Sequence, residues 1–323
     1  MRRSLLVATA AFAIAGPALA AERPDYPARP IRVILPNAPG STTDILGRLV
    51  FIRMSHRLGK QLVVDNRPGA GGTLGTEMGA RAAPDGYTVV AVAASQLTMA
   101  PHIYQKIAYD PLRDFLPVGM FVLAQTALCV NANLPVKTAR DLIELAKAKP
   151  AALNMASAGI GSTSHLGGLL FATLAGIQAN HVPYKGGGPS IASVAQGEAH
   201  WTVPPLSAAM PQVKAGRMRC VATGGDRRSA VMPELPTLAE SGVAGFRFYG
   251  WNGVVAPRGT PRPIVLLLNA VMNDALSTPE IRKLYSELGE EPAYGTPEDF
   301  RKLIREDYES MGKLVRLAGV RAE

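Results

Sequence analysis

The sequence has little of what catalytic and metal centres are made from. Of its 323 residues only 2 are cysteine, 5 are histidine and 6% are aromatic. No Cys/His cluster has the spacing of metal ligands, which excludes an ordinary structural zinc site. There is no Gly-x-Ser-x-Gly nucleophile elbow and no His-Glu-x-x-His. Ser164 and His165 are adjacent in sequence, and neighbours on a helix do not face one another, so an exported hydrolase lacks its motifs. Basic residues stand singly or in pairs, without a run of four or an aromatic-interleaved basic stretch. The formal charge of +9 therefore does not describe a nucleic-acid surface. No segment reaches the ~20 apolar residues that a spanning helix needs. There is no long linker, low-complexity tract or clean internal repeat.

What is present begins with an export signal. Met1-Arg2-Arg3 supplies a positive n-region, Leu5 to Ile14 is an apolar and small-residue run, and Gly16-Pro17 breaks it before Ala18-Leu19-Ala20. Residues 1–20 are expected to be a signal peptide cleaved near Ala20, which places the mature chain in the periplasm. Without Arg2 and Arg3 the chain keeps 32 basic against 25 acidic residues, +7. About 300 residues suit two lobes better than one small core.

Strand-like runs at 31–36, 61–65, 87–94, 119–131, 153–157, 179–184, 199–203, 218–223 and 247–256 alternate with helical patterns, which points to parallel sheets with crossover helices. The first helix is expected to bury Ile45, Leu49, Ile52 and Leu58 and to end at Gly59. A later one is capped by Ser162 or Thr163, with Leu166, Leu169, Leu170 and Leu174 inward and Gly176 past its end. The long runs 121–130 and 246–256 read as segments that cross between lobes. That leaves one lobe (124–247) inserted in the other (21–123 with 248–323), on which the C-terminal helices pack. Cys129 and Cys220 lie in apolar runs and are read as buried thiols in preference to a disulfide, although an oxidising compartment permits pairing.

Two stretches share one design: a strand runs into a Gly/Ser/Thr-rich turn that opens a helix. They are Ile31–Asp44, with Asn37 and Gly40-Ser41-Thr42-Thr43, and Leu153–His165, with Ser157 and Gly161-Ser162-Thr163-Ser164. Such turns leave backbone N–H groups unpaired where the helix dipole favours negative charge. Two of them facing each other across a cleft would hold a small anion. Asp44 and His165 read as residues that support the helix starts. Ser95 and Gln96 follow a strand at a position that faces the crevice in open α/β sheets. Tyr184 ends another strand, Lys185 reads as an exposed lysine, and Gly69-Ala70-Gly71-Gly72 lacks phosphate-loop spacing and reads as a tight structural turn.

Short motifs along the whole mature chain carry a resemblance. They include Tyr26-Pro-x-Arg-Pro-Ile31, Pro39-Gly40-x-x-x-Asp44, Asp65-Asn-Arg-Pro-Gly-Ala-Gly-Gly72 and Pro84-Asp-Gly-Tyr87. Tyr109-Asp-Pro-x-x-Asp-Phe115, Gly161-Ser-x-Ser-His-Leu166, Val182-Pro-Tyr-Lys-Gly186, Glu234-Leu-Pro-Thr237, Trp251-x-Gly253 and Ala256-Pro-x-Gly-Thr-Pro261 continue the series. In these features the chain resembles periplasmic solute-binding proteins of the tripartite tricarboxylate transporter type, the Bug family. The resemblance implies an α/β periplasmic-binding-protein fold of the type II-like, Venus-flytrap kind, with two lobes joined by two crossing strands. It implies capture of a small carboxylate and delivery to integral-membrane permease subunits, with neither catalysis nor a cofactor or metal. A membrane sensor as the receiving partner is the alternative. Ser41 stands where the family has a second glycine, and His200 and Pro204 stand where it brings two aspartates toward the cleft, a loss that argues against an amino-acid ligand. The candidate ligand-binding residues are Asn37, Gly40, Ser41, Thr42, Thr43, Ser95, Gln96, Ser157, Gly161, Ser162, Thr163, Ser164, Tyr184, His200 and Pro204.

Overall fold

The computed structural model describes residues 26–317 and Gly319; the expected signal segment lies outside them. Strand β1 (Ile31–Leu35) leads to α1 (Thr42–Leu58), β2 (Leu62–Asn66), α2 (Thr73–Ala80) and β3 (Thr88–Ala93), with β2 and β3 both parallel to β1. A π-helical stretch (Ser95–Met99) and α3 (Ala100–Ile103) precede the long β4 (Phe115–Gln125). The chain then builds β5 (Ala127–Asn131), α4 (Ala139–Ala148), β6 (Asn154–Ser157), α5 (Thr163–Ala175), β7 (Asn180–Pro183), α6 (Gly187–Gln196), β8 (Trp201–Thr202), α7 (Leu206–Lys214) and β9 (Met218–Thr223). It returns as β10 (Tyr249–Pro257), followed by α8 (Arg262–Ser277), α9 (Pro279–Glu287), β11 (Glu291–Pro292) and α10 (Pro297–Leu317). The strands form two sheets, ordered β11-β4-β10-β3-β1-β2 and β7-β6-β8-β5-β9.

The passage between sheets rests on one residue. The sequence reads 119–131 as a single run, but the structure splits it at Thr126, which makes only an isolated bridge to Pro205. Thr126 Oγ1 donates to the Phe248 carbonyl at 2.5 Å, Gly224 N donates to the Thr126 carbonyl at 2.7 Å, and Phe248 N donates to Gly224 O at 2.8 Å. Both crossing segments are thus clasped at the same level. A Cβ on Gly224 would lie 2.1 Å from Thr126 Oγ1, so only glycine lets the two backbones approach this closely.

Packing corrects two expectations about helix faces. In α1 the buried stripe is Leu46, Val50, Phe51 and Met54, whereas Ile45 and Ile52 are 43% and 55% exposed. Apolar residues run most of the way round this helix, so periodicity alone cannot choose a face. The choice is made by Ile31, Val33 and Leu35 of β1 and by Phe121, which stands edge-on to Phe51. Leu174 of α5 is likewise exposed, while Leu166 is fully buried.

The thiol reading is also corrected. Cys129 of β5 and Cys220 of β9 are directly opposed across an antiparallel pair, and a disulfide joins them. Opposed residues of neighbouring strands share a sheet face, which is the geometry the bond needs. The crosslink spans 91 residues of chain and removes the corresponding freedom from the unfolded state. Replacing both cysteines by alanine is expected to cost about 4 kcal/mol in denaturant unfolding. Unfolded without reductant, the intact chain should show no reactive thiol; two titratable thiols would contradict the pairing.

Candidate ligand-binding site

The starts of α1 and α5 are built alike. Ser41 caps α1 in an extended conformation (φ −67°, ψ 159°), and its hydroxyl accepts from Asp44 N. Ser162 caps α5 in nearly the same conformation (φ −69°, ψ 162°), accepting from His165 N. In each the third helical residue reaches back over the cap. Gly40 N donates to Asp44 Oδ2 at 2.9 Å, and Gly161 N donates to His165 Nδ1 at 3.0 Å. Gly40 and Gly161 hold matching left-handed conformations (φ +79° and +76°) that bring those N–H groups round. The N–H groups of Thr42 and Thr43, and of Thr163 and Ser164, find no acceptor among the described residues. This is the usual deficit of a first helical turn, here halved by the capping residues.

A third helix start joins them. Gly186 caps α6 without a side-chain bond, and Pro189 in its first turn has no N–H, so the N–H groups of Gly187 and Gly188 stand free among the described residues. Ser190 is only 1% exposed, and its hydroxyl oxygen has no hydrogen-bond partner.

All three starts line one cavity of about 570 Å³ between the lobes. Gly40, Ser41, Thr42 and Thr43 face it from one side, and Ser162, Thr163 and Ser164 from the other. Asn37, Ser95 and Pro204 also line it, as do Gly187, Gly188 and Ser190. A neighbouring hollow of about 360 Å³ is lined by Gln96 and Gly161, and shares Asn37, Ser95 and Ser162 with the first. Three of the residues expected at the site lie elsewhere. Ser157 Oγ is 2.6 Å from His181 Nε2 behind the turn, and His200 Nδ1 accepts from Asn154 N at 2.8 Å. Tyr184 packs against the buried cluster that contains Ile191 and Leu206. Gln96 borders the smaller hollow, but its side chain is committed to backbone, with Oε1 accepting from Ala93 N and Nε2 donating to Gly71 O. Sequence reading missed the α6 start. The signal was the glycine run Gly186–Gly188, separated from strand β7 only by Tyr184 and Lys185. It also missed Asn252 of β10, whose Oδ1 accepts from Thr43 Oγ1 at 2.7 Å.

Among the described residues no charged side chain lines either hollow. The positive potential comes from three helix starts, each worth roughly half a charge. Asp44 is absent from the lining of both hollows, and its charge is paired with Arg48 at 2.8 Å. Burial works against its charge, but Gly40 N–H, the Asn66 amide and the Arg48 guanidinium hold its carboxyl below the usual range and occupy its oxygens. At the other start His165 stacks on His181 with ring centroids 4.0 Å apart. Desolvation by burial, with His181 adding to it, pushes the His165 pKa down to about 4, so the ring is neutral and Nδ1 is free to accept from Gly161.

Two α/β lobes, joined by paired crossing strands around a cavity of helix starts, define a bilobal solute-binding protein. Residues 46–320 match the family described as the tripartite tricarboxylate transporter family receptor, and the chain belongs to that family. The family expected from the sequence motifs is therefore the one found. Protein BugT of Bordetella pertussis is 33% identical over 322 residues, 99% of each chain. Among solved structures, R. palustris Rpa4515 with adipate is 34% identical with a TM-score of 0.83, over 92% of this chain and 99% of that one. MatC (Rpa3494) from Rhodopseudomonas palustris with bound malate is 31% identical with a TM-score of 0.78, over 90% and 100%. No helix among the described residues is long and apolar enough to cross a membrane.

The burial of His165, with His181 beside it, fixes a pH dependence. The residue's folded pKa of about 4 lies below its ordinary 6.5, so between those values the unfolded chain binds more protons. The stability it contributes is complete above about pH 6.5 and is lost as pH falls toward 4. Melting temperatures from pH 7 to 4 should fall less steeply for His165→Asn, which keeps an acceptor but does not titrate, than for the parent. Parallel curves would show that the ring does not carry this effect.

Proposed function

We propose that this chain captures a small carboxylate between its two lobes in the periplasm and delivers it to the integral-membrane subunits of a tripartite transporter. The observation that carries the reading is the cavity which, among the described residues, has six free backbone N–H groups at three helix starts and no charged side chain on its wall. A carboxylate is the acceptor such a site suits, because hydrogen bonds to a charged group are worth about 1.5–3 kcal/mol each. Membership of the receptor family supports the transport role, and the adipate and malate held by structural neighbours support the ligand class. Binding proceeds without chemistry: the lobes rotate about the Thr126–Gly224–Phe248 clasp, closure buries the acid, and the closed form is what the membrane partner recognises. In this reading residues 1–20 are a signal removed near Ala20. The lobes then comprise 21–123 with 248–323, and 124–247.

Proline at the first helical position deletes one N–H while keeping the helix, since the preceding caps already hold the extended conformation that proline requires. Calorimetry with a panel of mono-, di- and tricarboxylates should show Thr42→Pro and Thr163→Pro binding the preferred acid at least about tenfold more weakly than the matching alanine variants. The melting temperatures of these variants should stay near that of the parent. Affinity unchanged in both proline variants would remove the basis of the reading.

A further inference from the structure

The main cavity continues into a side arm of about 240 Å³, which shares Gly40, Thr42 and Ala208 with it. Ile45 of α1 lines the arm, and so do Ser207 of α7 and Glu290 from the turn between α9 and β11. The two sheets' helices meet here: Ser207 Oγ donates to Glu290 Oε1 across the lobes. Glu290 is only 2% exposed, and its other oxygen, Oε2, is buried with no hydrogen-bond partner among the described residues. It is the one ionisable side chain on the wall of either the cavity or the arm among the described residues. A buried carboxyl with an unused oxygen is costly for the fold alone, and calls for a partner that comes and goes.

We propose that the Glu290 carboxyl is the distal recognition group of the ligand site, donating a hydrogen bond to the second carboxylate of a ligand whose first carboxylate sits at the helix starts. The inference rests on the carboxylate reading above and adds the other end of the ligand: the preferred class is an α,ω-dicarboxylate. Burial, opposed by Ser207 and reinforced by Glu291, raises the Glu290 pKa to about 8, so at neutral pH the group keeps its proton and can donate it. An ammonium end would need that proton removed, and would also lie beside Gly40 and Thr42 at the positive end of α1. The neighbouring ionisable groups leave the assignment intact. Tyr285 of α9 is held neutral by burial, Glu291 of β11 pairs with Arg227, and Asp44 of α1 is engaged by Gly40, Arg48 and Asn66. Among the described residues that line the arm, helix α7 contributes Ser207 and Ala208.

The test is calorimetric titration of the full protein with adipate, hexanoate and 6-aminohexanoate between pH 7 and 9.5, beside Glu290→Gln, Glu290→Leu and Ser207→Ala. Adipate should bind at least tenfold tighter than hexanoate at pH 7. Its affinity should then fall about 30-fold by pH 9.5 as Glu290 loses its proton, while that of hexanoate stays flat. Glu290→Gln, which keeps a donor, should bind adipate within a few-fold of the parent and without the pH dependence. Glu290→Leu should bring adipate down to the level of hexanoate, and Ser207→Ala should shift the pH midpoint. If the leucine variant does not fold, the glutamine variant decides. Equal binding of adipate and hexanoate, preference for 6-aminohexanoate, or an unchanged pH profile in Glu290→Gln overturns the role of Glu290 and leaves the carboxylate reading standing. Failure of these three acids to bind overturns the role of Glu290, and only failure of the whole mono-, di- and tricarboxylate panel overturns the carboxylate reading as well.

Discussion

An α-helix cannot satisfy the N–H groups of its own first turn, and this molecule aims that shortfall three times into one cavity. The neighbouring residues keep those groups unpaired among the described residues and place them on the cavity wall. Asp44 and His165 each take the N–H that precedes the cap, which locks the turn and leaves the next two N–H groups free. The two capping residues do the same task with opposite electrostatics. Asp44 keeps its negative charge because Gly40, Asn66 and Arg48 surround it, whereas His165 accepts only because burial keeps its ring neutral.

The donor clusters stand on separate lobes, and the crossing strands are what join those lobes. β4 and β10 run antiparallel from Phe115–Pro257 to Gln125–Tyr249, then meet the second sheet at Thr126, Gly224 and Phe248. Within that sheet the Cys129–Cys220 bond ties β5, which leaves the hinge, to β9, which leads back toward it. On the far side Asp307 of α10 accepts from the indole of Trp251 at 2.6 Å, and Phe300 stands edge-on to its ring, so α10 braces the part of β10 that lines the cavity. In the proposed closure the lobes would turn about the narrow clasp between these segments.

Much of this was legible in the sequence, because helix caps and strand–turn–helix junctions are local events. Ser41 and Ser162 stand at the expected caps, Gly59 and Gly176 end their helices in left-handed conformations, and eight of the nine expected strand runs correspond to a strand each, with the ninth divided at Thr126. What escaped was decided by distant partners. The burial of α1 on Leu46 and Val50, and not on Ile45 and Ile52, depends on which face meets β1. Opposition of Cys129 and Cys220 depends on strand order, which places β9 beside β5 although most of the lobe separates them in sequence. Ser157 and His200 carried plausible ligand chemistry, yet both are spent on internal hydrogen bonds that only the folded sheet creates. The α6 start had a local signal in its glycines but no capping side chain to mark it, and nothing near Glu290 in sequence announces Ser207 opposite it.

A site made of backbone donors recognises a carboxylate without regard to what the carboxylate is attached to. Those N–H groups are fixed by the fold, so amino-acid substitution alters them only where it introduces proline or breaks a cap. Discrimination between acids must then come from the rest of the wall: small residues such as Ala93, Ala94 and Ala124, the ring of Trp251 and the side arm that ends at Glu290. These positions are apolar or buried and carry no motif, which is why the fold and the anion pole can be read from a sequence far more readily than the identity of the ligand. The same division makes the architecture adaptable: the pole that every carboxylate shares is held by the backbone, and the features that distinguish one acid from another are left to side chains free to vary.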